Sequence, residues 1–274
     1  MKLHLRAPRY GGQAPALLIA PVAVAVLLFF APLATMARRS VISDAGAVTL
    51  EHYARFFGDP YYLTGLLVTI GTALLVTLIT LLVSYPVAYS YWRAGHRLRS
   101  VLVVLLLSPF YANVVVKVFG WMLLLPTDFL NGYAAIVVVS VHRSMPFMVL
   151  MLASAMSRIE PELLESARVC GARGGRVVRT VIVPLSMPGV VAGGIVVFSL
   201  SVAAYVVPAL VGGAARGRFL PVLMYQQITI AQNWGFGAAL GIILLATSIA
   251  TIAAGNRLVR SAKVGRVMGA GFGE

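Results

Sequence analysis

Apolar residues run through this chain in six long blocks, at about 15–37, 63–91, 101–125, 133–156, 188–213 and 236–255, and most of the charge lies between them. A bilayer core of roughly 30 Å is crossed by about 20 helical residues, so each block has the length of a membrane span. Inside the hydrocarbon a spanning segment must satisfy its own backbone N–H and C=O groups, which a helix does and an open strand does not. Valine-rich runs such as 136–139 therefore read as helix despite their β-branching. The pattern predicts an all-α, polytopic membrane protein with six transmembrane helices.

The polar stretches carry their own punctuation. Residues 38–62 form the longest outer connection, in which Leu50–Phe57 reads as a short surface helix stopped by Asp59-Pro60. The connections at 92–100 and 126–132 are short, and 212–235 is polar enough to face an external partner. The stretch 157–187 is different. It opens with Ile159-Glu160-Pro161-Glu162-Leu163-Leu164-Glu165, where a proline suits the first turn and three carboxylates complement the positive end of a helix dipole. Gly171 is placed to end that helix in the left-handed cap conformation. Pro184 and Pro188-Gly189 are expected to break the chain before the fifth span.

Composition confirms the membrane class: charged residues make up 11% of 274, and the mean hydropathy is +0.92. The net charge of +14 raises a nucleic-acid reading, but the placement of the charges argues against it. With the N-terminus inside, fifteen Lys and Arg fall on cytoplasmic segments: Lys2, Arg6 and Arg9; Arg93, Arg97 and Arg99; Arg158, Arg168, Arg173, Arg176 and Arg179; Arg257, Arg260, Lys263 and Arg266. Five fall outside: Arg38, Arg39, Arg55, Arg216 and Arg218. That asymmetry puts both termini in the cytoplasm and implies no nucleic-acid partner. The first block is longer than the roughly 7–15 apolar residues of a signal peptide, so it reads as a retained helix. Cys170 is the single cysteine, has no intrachain disulfide partner, and reads as a small packing residue.

Two cations fall within spans, Lys117 in the third and Arg143 in the fourth, and no Asp or Glu lies in any span. Charge inside a membrane is costly and marks a pathway by default. The plainer alternative is that each snorkels to an interface or caps carbonyls freed by Pro146. Tyr111 and Asn113 share the stretch of Lys117, and Tyr85, Tyr89, Tyr111, Trp121 and Tyr205 offer either cation–π faces or packing and interface anchors. Gly189 with Gly193, and Gly237 with Gly241, have the spacing that lets helices approach closely. His96 and His142 lack metal-ligand spacing, and Gly174-Gly175-Arg176 lacks the lysine and hydroxyl of a phosphate loop, so no cofactor and no ATP hydrolysis is expected in this chain. A gradient-driven carrier would show intramembrane carboxylates and broken-helix repeats, and a membrane enzyme would show paired carboxylates or a nucleophile and base; neither emerges.

Glu165-Ser166-Ala167, three residues, Gly171, nine residues, then Val181-Ile182-Val183-Pro184 resembles the "EAA" loop of bacterial ABC importer permeases, with Ser166, Val181 and Val183 as mild departures. Pro184 to Gly193, Val207-Pro208-Ala209-Leu210-Val211-Gly212-Gly213, Asn233-Trp234 with 237–240, and Met145-Pro146-Phe147-Met148 look like the spermidine/putrescine branch of that family. The segment 126–133 is shorter than in that branch. The resemblance implies a type I importer permease fold: an N-terminal helix and external loop at 1–62, a permease core at 63–255 containing the coupling loop 157–187, and a basic tail at 256–274. It implies a coupling site of Glu165, Ser166, Ala167, Gly171 and Pro184, and leaves Lys117, Arg143, Tyr111, Asn113, Tyr85 and Tyr205 as candidates for the substrate pathway. The implied partners are a cytoplasmic ATPase dimer, a second and unlike permease, an external substrate-binding protein and membrane lipid in the bacterial inner membrane. The implied cargo is a polyamine, with opine, phosphonate, sulfate and iron carriers of the same architecture as alternatives.

Overall fold

The computed structural model describes residues 14–43, 46–172, 174–212 and 217–261. They form helices α1 (Ala14–Ser40), α2 (Glu51–Gly58), α3 (Pro60–Arg93), α4 (His96–Tyr111), α5 (Val114–Leu124), α6 (Thr127–Leu130), α7 (Tyr133–Met156), α8 (Pro161–Val169), α9 (Gly174–Val177), α10 (Val183–Val202), α11 (Val206–Leu210), α12 (Leu220–Thr229) and α13 (Trp234–Ser261). Among the described residues, five helical stretches are long and apolar enough to cross a membrane: Pro21–Ser40, Pro60–Arg93, Tyr133–Met156, Gly174–Leu210 and Trp234–Arg257.

The third expected span departs from the expectation. It is two helices, α4 and α5, broken at Ala112-Asn113. Asn113 caps the second half through its own side chain, Oδ1 accepting from the Val115 N–H at 2.8 Å. This is the competition that short polar side chains offer to a continuing helix. The fifth span departs in the other direction. The expected break at Pro184 and Pro188 is absent, and helix runs from Gly174 through a π-turn at Val178–Ile182 into α10. Pro184 has no N–H to give the Thr180 carbonyl and its ring would crowd that oxygen; a widened turn absorbs this without ending the helix.

The centre of the bundle is α3, α7 and α10. Antiparallel approach of α10 to α7 depends on Gly189 and Gly193: a Cβ on Gly189 would lie 2.6 Å from the Ala155 Cβ, and one on Gly193 2.6 Å from the Met148 Sδ. Tyr85 Oη bonds Ser186 Oγ at 2.9 Å to pin α3 to α10, and Thr72 Oγ1 bonds Tyr133 Oη at 2.6 Å to set α3 beside α7. Val76, Met148, Val149, Leu152 and Val197 fill the space between them.

A second layer joins α1, α12 and α13. Gly237 receives Ile228 of α12, and a Cβ on Gly241 would meet the Met36 Cε of α1 at 2.8 Å. Within the stretch expected to be a polar outer connection, Phe219, Leu220, Pro221, Val222 and Leu223 are buried against the bundle. Their anchor is Thr69, whose buried hydroxyl donates to Gly65 O at 2.7 Å and accepts from the Leu220 N–H at 2.9 Å. Thr69→Val keeps the shape and leaves that N–H without its acceptor, so the expected outcome is a loss of about 1–3 kcal/mol. Lower thermal stability of the purified variant, with Thr64→Val near neutral because its hydroxyl only bonds Pro60 O on an exposed turn, would check it. The expected surface helix is present as α2, which buries Phe56 and is followed by Asp59, whose Oδ1 accepts from Tyr61 N at 2.9 Å to start α3.

Candidate functional site

The polar hairpin at one end of the bundle is built as its residues dictate. Pro161 begins α8, and the helix ends in a double hydrogen-bonded cap: Ala172 N–H to Ala167 O at 3.0 Å and Gly171 N–H to Arg168 O at 2.9 Å. That cap places Gly171 at φ +82°, a left-handed conformation that glycine takes without steric cost. Leu164 and Ala167, three apart and on one face, pack on the bundle end against the cluster of Met156, Ile159, Val177 and Ile182. Glu162, Glu165, Ser166 and Cys170 are exposed, as are the apolar Leu163 and Val169. The hairpin thus seats α8 by a narrow stripe and presents its outer face. Pro184 is exposed at the first turn of α10, where the π-turn ends.

Within the span region the structure gathers some of the candidate residues and disperses others. Arg143 lies ten residues into α7, about 15 Å along the helix from Tyr133. Its Nη2–H donates to Leu200 O at 3.0 Å. That carbonyl belongs to the last turn of α10, where the helix stops at Ala203 before α11, so Arg143 caps a helix end inside the bundle. Pro146 does not supply the carbonyl. Lys117 on α5 lies within electrostatic range of both Arg143 and His142. One turn further along α5, the Trp121 Nε1–H donates to His142 Nδ1 at 3.0 Å, with the two rings edge to face. Lys117, Trp121, His142 and Arg143 therefore form one group, beside the two places where spanning helices break and where α5 packs on α11.

The remaining candidates sit elsewhere. Tyr85 is held by Ser186 in the α3–α10 seam. Asn113 is exposed and occupied as a helix cap. Tyr205 lies in the α10–α11 break, stacks obliquely on Tyr225 at 4.6 Å, and lines an apolar cavity of about 540 Å³ with Leu33, Met36 and Met224. The Tyr111 side chain lies outside the described residues. His142 was the member that spacing concealed: it lacks a metal-ligand pattern, and its only sequence signal is adjacency to Arg143.

The fold and site define a class: a polytopic helical membrane bundle with broken spans and an exposed short helix at one end. Residues 78–264 match the family of binding-protein-dependent transport system inner membrane components. The spermidine/putrescine transport system permease protein PotB of Escherichia coli (strain K12) is 32% identical over 214 residues, covering 72% of this chain and 77% of that protein. PotB of Haemophilus influenzae is 29% identical over 233 residues, covering 77% and 81%. Among solved structures, the bacterial alginate ABC transporter in complex with an alginate pentasaccharide-bound periplasmic protein superposes with a TM-score of 0.74 at 13% identity, over 90% of this chain and 93% of that one. The chain belongs to the binding-protein-dependent transport system inner membrane component family and is a permease subunit of an ABC importer; ATP hydrolysis resides on a separate subunit.

Proposed function

We propose that this permease serves an importer of polyamine-class solutes, amine-bearing organic cations such as spermidine and putrescine. The observation that carries the reading is the 32% identity to the spermidine/putrescine permease PotB over 77% of that protein's length. Opine, phosphonate, sulfate and iron importers share the architecture; the identity to PotB favours the polyamine branch over them and over a gradient-driven carrier.

In this reading the six crossings are α1, α3, the broken pair α4–α5, α7, the helical stretch 174–210 with its break at 203–205, and α13, with both termini on the cytoplasmic side. The division into an N-terminal helix and external loop (1–62), permease core (63–255) and basic tail (256–274) follows, although most of the tail lies outside the described residues. The exposed face of α8, with Glu165 and Ser166, docks on an ATPase dimer, while Ala167, Gly171 and Pro184 hold its position. A second, unlike permease completes the pathway, and an external binding protein delivers the solute in the bacterial inner membrane.

The test is uptake of labelled spermidine and putrescine by cells with the gene deleted, complemented by the wild-type chain or by Glu165→Lys. Loss on deletion, restored by wild type and not by Glu165→Lys, is the expected result. Undiminished uptake in the deletion strain, with other polyamine transporters removed, would overturn the assignment.

A further inference from the structure

A second cavity, of about 490 Å³, opens where α1 ends and α13 begins, with Thr35, Arg38, Arg39, Gln232 and Trp234 in its wall. That volume falls in the range of roughly 300–1,000 Å³ of small-ligand sites. Its depth follows from the two spans that bound it. Pro21–Ser40 is 20 residues long, about 30 Å of helix and so the thickness of a bilayer core, and Arg38 and Arg39 stand in its last turn. Trp234 is the first residue of the span Trp234–Arg257 and is 52% exposed, which is the position and the residue of an interfacial anchor. The cavity therefore lies at the level of lipid headgroups.

The cavity is also basic. The negative end of the α1 dipole and the positive end of the α13 dipole, each about half a charge, both border it and offset one another, which leaves two guanidinium charges. Among the described residues no carboxylate stands in ion-pair distance of either. Asp44, between the lining residues Ser43 and Gly46, lies outside the described residues. Each guanidinium offers a planar fork of N–H donors that matches the oxygens of a phosphodiester. The apolar surface beside the cavity suits the rest of a phospholipid. From Pro21 on, only Leu33, Met36 and Ser40 of α1 are not exposed, while Leu27, Leu28, Phe29 and Phe30 face outward at bilayer depth. The hold of α1 on the bundle is thus slender, and is mostly against α13.

We propose that Arg38 and Arg39 bind the phosphodiester headgroup of an anionic phospholipid in this cavity, and that the bound lipid clamps α1 to α13. An acidic face of the external binding protein would match the charge but not the depth, since the two arginines belong to the last turn of a span rather than to a loop above it. The proposal holds whichever solute the permease carries.

For the test, the whole importer with its binding protein is reconstituted in vesicles of equal parts dioleoylphosphatidylglycerol and dioleoylphosphatidylcholine, which share their chains and differ in headgroup charge. A photoreactive benzoylphenylalanine replaces Thr35, an exposed helical residue of the cavity wall, and the mass of each adduct formed on illumination identifies the occupant. The ratio of the two lipid adducts is read in the otherwise unaltered chain, in Arg38→Gln/Arg39→Gln, and in Arg97→Gln/Arg99→Gln, a like pair of exposed cations just beyond the far end of α3. The expected result is phosphatidylglycerol favoured by roughly tenfold or more, the size of a charge-assisted hydrogen bond, in the unaltered chain and in Arg97→Gln/Arg99→Gln. In Arg38→Gln/Arg39→Gln the ratio falls to near parity with the summed lipid adduct unchanged. Parity in the unaltered chain, a preference that survives loss of Arg38 and Arg39, or one lost equally with Arg97 and Arg99, overturns the proposal. So does an adduct with the binding protein in place of lipid, which makes the cavity a protein contact. A preference that emerges only in Asp44→Asn also overturns it, because the native cavity is then neutralised by its own loop carboxylate.

Discussion

Replacing Gly171 with Val is expected to abolish solute uptake while leaving the chain in the membrane at normal abundance. No heavy atom lies within 4 Å of where a Cβ at Gly171 would stand, so crowding is not the cause. The backbone is: at φ +82° a β-branched residue is strained by about 1–3 kcal/mol. Relief requires leaving the left-handed region, and with it both bonds that close α8, from Ala172 N–H to Ala167 O and from Gly171 N–H to Arg168 O. The hold of α8 on the bundle is narrow, Leu164 and Ala167 on one face, so the redirected chain takes its outer face out of register with a docked ATPase. The spans contain none of these atoms, hence the normal insertion. Uptake, membrane abundance and co-purification of the ATPase are the three readings. Gly175→Ala is the matched control, since that glycine has an ordinary helical backbone and open space around it. If Gly171→Val kept more than half of wild-type uptake, the geometry of this cap would have no part in coupling.

Much of this was legible in the chain because the bilayer imposes a strong rule. Five of six apolar blocks became long helices, and the cap at Gly171 followed from glycine's freedom at a helix end. The differences share a cause: the effect of a proline or a short polar residue on a helix depends on the packing around it. Pro184 and Pro188 mark a break in water, but here the missing N–H of Pro184 falls just after a π-turn at Val178–Ile182, and Pro188 lies within the continuing helix α10. Asn113, a weaker signal, does break a helix, because its side chain can take over the first N–H of the next one. The polar character of 212–235 gave no sign that Leu220 to Leu223 are buried, anchored by Thr69, 151 residues away in sequence. Long-range anchoring of that kind leaves no periodic trace. The candidate pathway was half legible: intramembrane charge pointed to Lys117 and Arg143, but only the packing of α5 on α7 shows that Trp121 bonds His142, the neighbour of Arg143.

The largest effect on folding is expected at Gly189. A Cβ there would lie 2.6 Å from the Ala155 Cβ, 2.7 Å from Met151 O and 3.2 Å from the Leu152 Cα. Two of those three atoms are backbone of α7, which cannot step aside by rotating a side chain, so even Gly189→Ala must push α10 away from α7. Overpacking of this sort costs about 1–3 kcal/mol, and separation of the helices would add the loss of contact around Leu152 and Val149. Gly193, one turn on, faces the same helix but a different obstacle: its Cβ would meet the Met148 Sδ at 2.6 Å and no backbone atom closer than the Met148 Cα at 3.6 Å. Methionine is unbranched and adapts, so Gly193→Ala is expected to cost clearly less than Gly189→Ala. Gly194, whose Cβ would make ordinary contact with Thr77 Cγ2 at 3.9 Å, should accept alanine with little change. The order Gly189 worst, Gly193 intermediate, Gly194 near neutral can be read from thermal stability in detergent and from recovery of folded chain. Helix propensity gives no such order, because alanine improves all three positions equally on that scale. Equal stability of the three variants would mean that α7 and α10 do not meet at these glycines.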